Sequence, residues 1–229
     1  MRFEELDWQA TPRGEISLRR RHDPAVDEIV YEVKLGDEFL MSSLFTEAER
    51  QLAHLGLAAL PPGQVSVLVG GLGLGYTALA ALGDPRVAEL VVIEAVEPVL
   101  DWHRRGLLPH TAALVTDPRC ELVLDDFFRL ARNAPERQYD AILLDVDHTP
   151  GHLLHPSHAD LYTVPGLTSL ARHLTDGGIF ALWSDDPPEP AFEATLAAVF
   201  DDTESHLVGF DNPLTGGTSS NTVYLGRRR

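Results

Sequence analysis

From residue 65 onward, short apolar runs alternate with segments of helical period. Val65–Val69, Leu90–Ile93, Leu122–Leu124, Ala141–Leu144 and Ile179–Trp183 read as buried strands, and Thr222–Leu225 closes the series. Between them, Tyr76–Leu82, a segment ending near Trp102, Phe127–Asn133, a segment after Thr163, and Pro190–Phe200 read as helices. Strands without polar alternation are covered on both faces. In strand–helix order that means a parallel sheet between helices, so the expected class is α/β with a doubly wound sheet.

The first 45 residues follow another pattern. Glu15–Leu18 and Ile29–Val33 are extended, and Leu35-Gly36-Asp37-Glu38 turns the chain before Phe39–Met41. This predicts a small antiparallel hairpin unit over 1–45, followed by one larger domain over 46–229. Thr46 and Glu49 have capping-box spacing and open a helix with Leu52, Leu55 and Ala59 on its apolar face. Pro61-Pro62-Gly63 ends it.

Composition narrows the function. The 229 residues carry 18 basic and 35 acidic side chains, a net charge of −17, which disfavours nucleic acid as a partner. No run is long enough for a membrane helix, and Met1-Arg2-Phe3-Glu4-Glu5 lacks the pattern of a secretory leader. One cysteine, Cys120, excludes an internal disulfide and a Cys-based zinc site, and a cytoplasmic location is expected. Charge is unevenly spread. From Gln138 to Gly226 one base, Arg172, faces 13 acids, which favours a cationic small-molecule substrate over an anionic one. The triplet Arg227-Arg228-Arg229 reads as a frayed tail.

In a doubly wound sheet, ligands bind beyond the carboxyl ends of the strands, where strand order reverses. After the first parallel strand comes Gly70-Gly71-Leu72-Gly73-Leu74-Gly75, whose glycines permit tight turning and close approach of a ligand. Its spacing differs from the Gly-x-Gly-x-x-Gly of dinucleotide enzymes, which disfavours an oxidoreductase. Glu94 ends the second strand, placed to accept hydrogen bonds from ribose hydroxyls. Asp125-Asp126 follow the third, where one carboxylate holds an adenine amino group, caps the next helix, or does both. Asp145 and Asp147 follow the fourth, at the pocket mouth. His148, His152, His155 and His158 fall close together, but Thr149-Pro150-Gly151 and Pro156 interrupt them. They read as a pocket-lining loop, with His148 a candidate general base and no metal expected. The stretch Asn212–Asn221 reads as a hairpin connection or a substrate-side lid.

These residues together resemble the class I methyltransferase superfamily, and in particular its spermidine synthase-like branch. The glycine loop from Gly70 to Gly75, Val92-Ile93-Glu94, Leu124-Asp125-Asp126-Phe127, Tyr139–Asp145, Leu161-Tyr162-Thr163 and Asp176-Gly177-Gly178 are similar to that family's motifs. The resemblance implies a Rossmann-like sheet, mostly parallel with an antiparallel last strand. It implies S-adenosylmethionine or its decarboxylated form as cosubstrate, held by Gly70, Gly71, Gly73, Gly75, Glu94, Asp125 and Asp126. It implies methyl or aminopropyl transfer to an amine or other small-molecule nucleophile, with Asp145 catalytic and a homodimer as one open assembly. Where the family has Asp-Ser-Thr-Asp-Pro, this chain has Asp145-Val146-Asp147-His148-Thr149-Pro150. Asp145 matches; the second family Asp has no clean equivalent because Asp147 and His148 each miss it by register, and both compete with Asp145 for the catalytic role. The family's Tyr-His pair is absent, with only His54 in that helix. A catalytically inactive nucleoside sensor or scaffold is the alternative.

Overall fold

The structure is a computed structural model that describes residues 3–12 and 14–229. Met1 and Arg2, which entered the reading of the leader, lie outside the described residues. The N-terminal unit is larger than the expected hairpin. Strands β1 (Phe3–Thr11), β2 (Gly14–Asp23), β3 (Glu28–Leu35) and β4 (Glu38–Ser42) form an antiparallel meander in that order. Strand β1 escapes sequence reading because it is acidic and a register shift between Glu5 and Asp7 breaks its alternation.

Helix α1 (Glu47–Ala58) leads to a seven-stranded sheet. Its strands are β5 (Val65–Gly70), β6 (Val87–Glu94), β7 (Cys120–Leu124), β8 (Tyr139–Leu144), β9 (Leu174–Ser184), β10 (Asp201–Asn212) and β11 (Gly217–Arg227). The order is β10-β11-β9-β8-β5-β6-β7. Strands β7 to β9 are parallel to β5 and β6, as expected, while β11 and β10 are both antiparallel to their neighbours. Strand β10 was not foreseen because it is an edge strand, alternately exposed and polar, with no apolar run.

Successive residues of a strand point to opposite faces, and the core follows that rule. Val67, Val69, Ala141 and Leu143 pack with Leu52 and Leu57 of α1 and with Ala78 and Ala81 of α2 (Tyr76–Leu82). Leu68, Ile142, Leu144 and Phe180 pack on the other face with Leu167 and Leu170 of α6 (Val164–Ala171) and Phe192 of α7 (Pro190–Ala197). Three more helices, α3 (Glu97–Arg104), α4 (Ala112–Thr116) and α5 (Phe127–Arg132), complete the layers. The terminal arginines are not frayed. Arg227 donates to the carbonyls of Ala59 and Gly177, at 2.9 and 3.0 Å, and Arg229 pairs with Asp201 at 2.8 Å.

The strand order reverses around β5, which has β6 on one side and β8 on the other. Gly70 and Leu144 are paired there, and the next amide, Asp145 N–H, donates to the Gly70 carbonyl at 2.8 Å. The switch point of the sheet therefore lies between the glycine loop and Asp145.

Candidate active site

Two adjoining cavities open at this switch point. One of 350 Å³ is lined by Glu94, Val99, Asp126, Phe127 and Phe128. The other, of 330 Å³, is lined by Glu49, Tyr76, His148, Trp183, Asp185 and Asn221. Leu40, Met41, Gly73, Asp145, Val146 and Leu154 border both, so Asp145 stands at their junction.

The glycine loop needs its glycines. Gly71, Gly73 and Gly75 have φ of +94°, +48° and +87°, a region that side chains disfavour. A Cβ on Gly71 would also overlap the Asp145 carbonyl oxygen. Gly70 is extended, but a Cβ there would meet Phe127 at 2.6 Å. His103 of α3, unremarked in the sequence, holds the loop from behind, its Nε2 donating to the Gly73 carbonyl at 2.9 Å. Burial pushes the His103 ring down to about 4, so it stays neutral at physiological pH.

Glu94 lies at the loop's inner edge. Its carboxylate accepts from Leu72 N–H at 3.0 Å and Val96 N–H at 2.8 Å, and more weakly from Gly73 N–H at 3.5 Å. Burial raises its pKa, opposed by those backbone donors. Asp126 caps α5, accepting from Phe128 and Arg129 N–H at 2.9 and 3.2 Å, and also lines the cavity beside Glu94. Both readings of that carboxylate are thus geometrically compatible. Asp125 instead pairs with Arg129 and lines neither cavity.

In the second cavity the carboxylates have few donors. Thr77 Oγ1 donates to Asp145 at 2.7 Å and lies 3.2 Å from the Glu49 carbonyl. Burial pushes Asp145 up to about 6. Burial, then the charge of Asp145, pushes Glu49 up to about 8. Asn221 donates to Asp185 at 2.8 Å. Aromatic walls stand around them, Tyr76 and Trp183 among them, with Phe45 and Phe210 in ring contact at 5.6 Å.

The remaining predicted residues divide. His148 lines this cavity and approaches Glu38 at 3.2 Å. Asp147 turns away. It is 1% exposed and lines neither cavity; Leu154 N–H, His158 Nδ1 and Tyr162 Oη each reach it at 2.8 Å. The four histidines do not converge, and no group of three or more metal-ligating side chains is gathered among the described residues. The Asn212–Asn221 stretch is the β10–β11 hairpin, whose flanking Phe210 and Asn221 line the cavity.

Sequence reading missed Glu49 because its capping-box spacing explained it; Thr46 in fact makes no side-chain cap bond. It missed Asp185, which directly follows β9 and obeys the strand-end rule that found the others.

The geometry agrees with the comparisons. The family model for the spermine/spermidine synthase domain matches residues 46–195. Putrescine N-methyltransferase 2 of Nicotiana tabacum is 31% identical over 128 residues, covering 56% of this chain and 34% of that protein. Spermidine synthase 2 of Hyoscyamus niger is 28% identical over 131 residues, 57% of this chain and 40% of that protein. The chain thus spans well under half the length of these relatives. A spermidine synthase structure from Thermotoga maritima superposes with a TM-score of 0.75 at 20% identity, covering 98% of this chain and 73% of that one. Another, of spermidine synthase in complex with the transition-state analogue AdoDATO, gives 0.73 at 19% identity, with 98% and 72% covered. With the family model covering residues 46–195, most of the chain, this protein belongs to the spermine/spermidine synthase family.

Proposed function

We propose that this protein transfers a methyl or aminopropyl group from S-adenosylmethionine, or its decarboxylated form, to an amine of a small cationic substrate. The observation that carries the reading is the position of Asp145, at the junction of a nucleoside-sized cavity and an acidic, aromatic one. The nucleoside fits the first cavity's chemistry: a glycine loop with left-handed backbone at Gly71 and Gly73 on its border, a buried carboxylate for ribose hydroxyls in Glu94, and Asp126 beyond it. When bound, the sulfonium supplies an electrophilic carbon. Alignment of donor and nucleophile is then the main task of the site.

Asp145 and Asp185 make the second cavity suitable for ammonium groups, with Glu49 beside them and Trp183 as an aromatic wall; the Tyr76 ring is itself stacked on His110 at 4.9 Å and lies under the Arg50 guanidinium at 5.1 Å. A nucleophilic amine must first lose its proton. Asp145, with its carboxyl pushed up to about 6, is ionised at neutral pH yet basic enough to take it. Asp147 is committed to His158, Tyr162 and Leu154 and positions the loop, while His148 is a second residue at the acceptor side. The reading includes a cytoplasmic location and a homodimer.

The test is mass spectrometry of products after incubation with each donor and a panel of diamines including putrescine. Transfer is expected with one donor. Asp145→Asn should bind methylthioadenosine within about tenfold of wild type and lose at least ~10² in turnover. Binding without transfer from either donor would favour the inactive sensor or scaffold.

A further inference from the structure

Asp147 and His158 form a buried pair that transfer chemistry at Asp145 does not use. His158 is 2% exposed, and its ring stacks on Phe128 with centroids 3.6 Å apart and planes 7° from parallel. Its Nδ1 meets Asp147 Oδ1 at 2.8 Å. Asp147 is itself anchored by Leu154 N–H and the Tyr162 hydroxyl. The ring is therefore fixed in plane by stacking and in rotation by the carboxylate.

A carboxylate accepts only, so Nδ1 carries a proton, and in that tautomer Nε2 is the acceptor. Nε2 makes no hydrogen bond with any described residue. Two polar side-chain atoms among the described residues are sealed without a partner, Trp183 Nε1 and Ser184 Oγ; His158 Nε2 is not one of them. His158 lines the cavity together with Asp126, Phe127 and Phe128, and its Nε2 is the ring atom left free to meet a ligand there.

We infer that His158 reads the purine base: oriented by Asp147, its Nε2 accepts a hydrogen bond from the exocyclic 6-amino group and so selects adenine over 6-oxo purines. That amino group has two N–H bonds, so Asp126 and His158 do not compete for it. A 6-oxo purine would present an oxygen to an acceptor, leaving both without a proton between them. The inference rests on the adenosyl reading above and adds a specificity residue to it.

The experiment is calorimetry with two probes, 5′-methylthioadenosine and its counterpart lacking the 6-amino group. Wild type should bind the amino ligand more tightly, by about tenfold for each hydrogen bond lost. His158→Asn keeps an amide to serve Asp147 and deletes the Nε2 acceptor; its preference should fall about tenfold. His158→Gln, whose amide oxygen reaches the Nε2 position, should recover part of it. A histidine-labelled ¹⁵N spectrum of wild type needs no variant: the Nε2 resonance should move with the amino ligand and stay with its counterpart. Equal preference in wild type and His158→Asn, with a still resonance, overturns the assignment and leaves the adenosyl reading standing. No binding of methylthioadenosine by wild type overturns both.

Discussion

The two halves of the site hold their carboxylates in opposite ways. In the nucleoside cavity Glu94 is held by backbone N–H groups on either side of it, Leu72 and Val96. Such donors neither rotate nor titrate, so the carboxylate is presented in one geometry. In the acceptor cavity Asp145 has one hydroxyl donor, Thr77, and burial holds Asp145 and Glu49 well above the ordinary carboxylate range. On the proposed reading, one half suits fixed recognition of neutral hydroxyls and the other proton exchange with an amine. The proposed transfer needs both behaviours side by side, and the fold supplies them by placing the glycine loop and Asp145 at the ends of adjacent strands.

Breaking the boundary itself should do the most damage. Gly71→Ala puts a Cβ onto the Asp145 carbonyl at a φ of +94°. Backbone strain alone costs about 1–3 kcal/mol, and the clash displaces both the loop and Asp145. Calorimetry should find no nucleoside binding, and thermal melting should fall. A variant with normal affinity would show that the two halves are not mechanically joined there.

Glu94→Ala tests the fixed half alone. Binding of methylthioadenosine should weaken by about 2–4 kcal/mol, since a buried charged acceptor for two hydroxyls is lost. Leu72 and Val96 also lose their acceptor, so the loop should become more protease-sensitive. An unchanged dissociation constant in a folded variant would remove Glu94 from ligand contact.

The fixed half was legible in the sequence and the titrating half largely was not, for a physical reason. Gly71, Glu94 and Asp126 sit at or just beyond strand ends, where α/β topology opens the crevice, so rank along the strand places them on the cavity wall. Asp145 was found by the same rule. The acceptor cavity draws instead on β4, α1, β9 and the β10–β11 hairpin, which are far apart in sequence. Glu49 looked like a helix cap because capping and cavity lining use the same side chains. Asp147 was read at the pocket mouth because strand rank does not give side-chain direction, and its partners His158 and Tyr162 lie beyond a turn. Strands β5 to β9 and β11 could be read as elements. The edge strand β10 and the acidic β1 could not, since half-exposed strands lack the apolar run that reveals buried ones.

The smallest expected effect is at Glu49, and it sharpens the comparison most. Glu49 is raised from 4.5 to about 8, so at neutral pH it is protonated and close in shape and charge to glutamine. Glu49→Gln should therefore leave turnover at pH 7 within a few-fold of wild type. The difference should appear with pH. An acid whose folded pKa exceeds its unfolded one contributes stability that is full below about 4.5 and lost as pH rises through about 8. Asp145, raised from 3.8 to about 6, adds a slope of the same sign at lower pH. Melting temperature should thus fall for wild type between pH 5 and pH 9, and fall less for Glu49→Gln. Above pH 8 wild-type Glu49 ionises and adds a negative charge to the acceptor cavity, which should lower KM for a diamine. Glu49→Gln should show no such drop. Parallel melting curves and parallel KM profiles for the two proteins would mean that Glu49 carries its charge like any exposed carboxylate, and the acceptor half would then be as static as the nucleoside half.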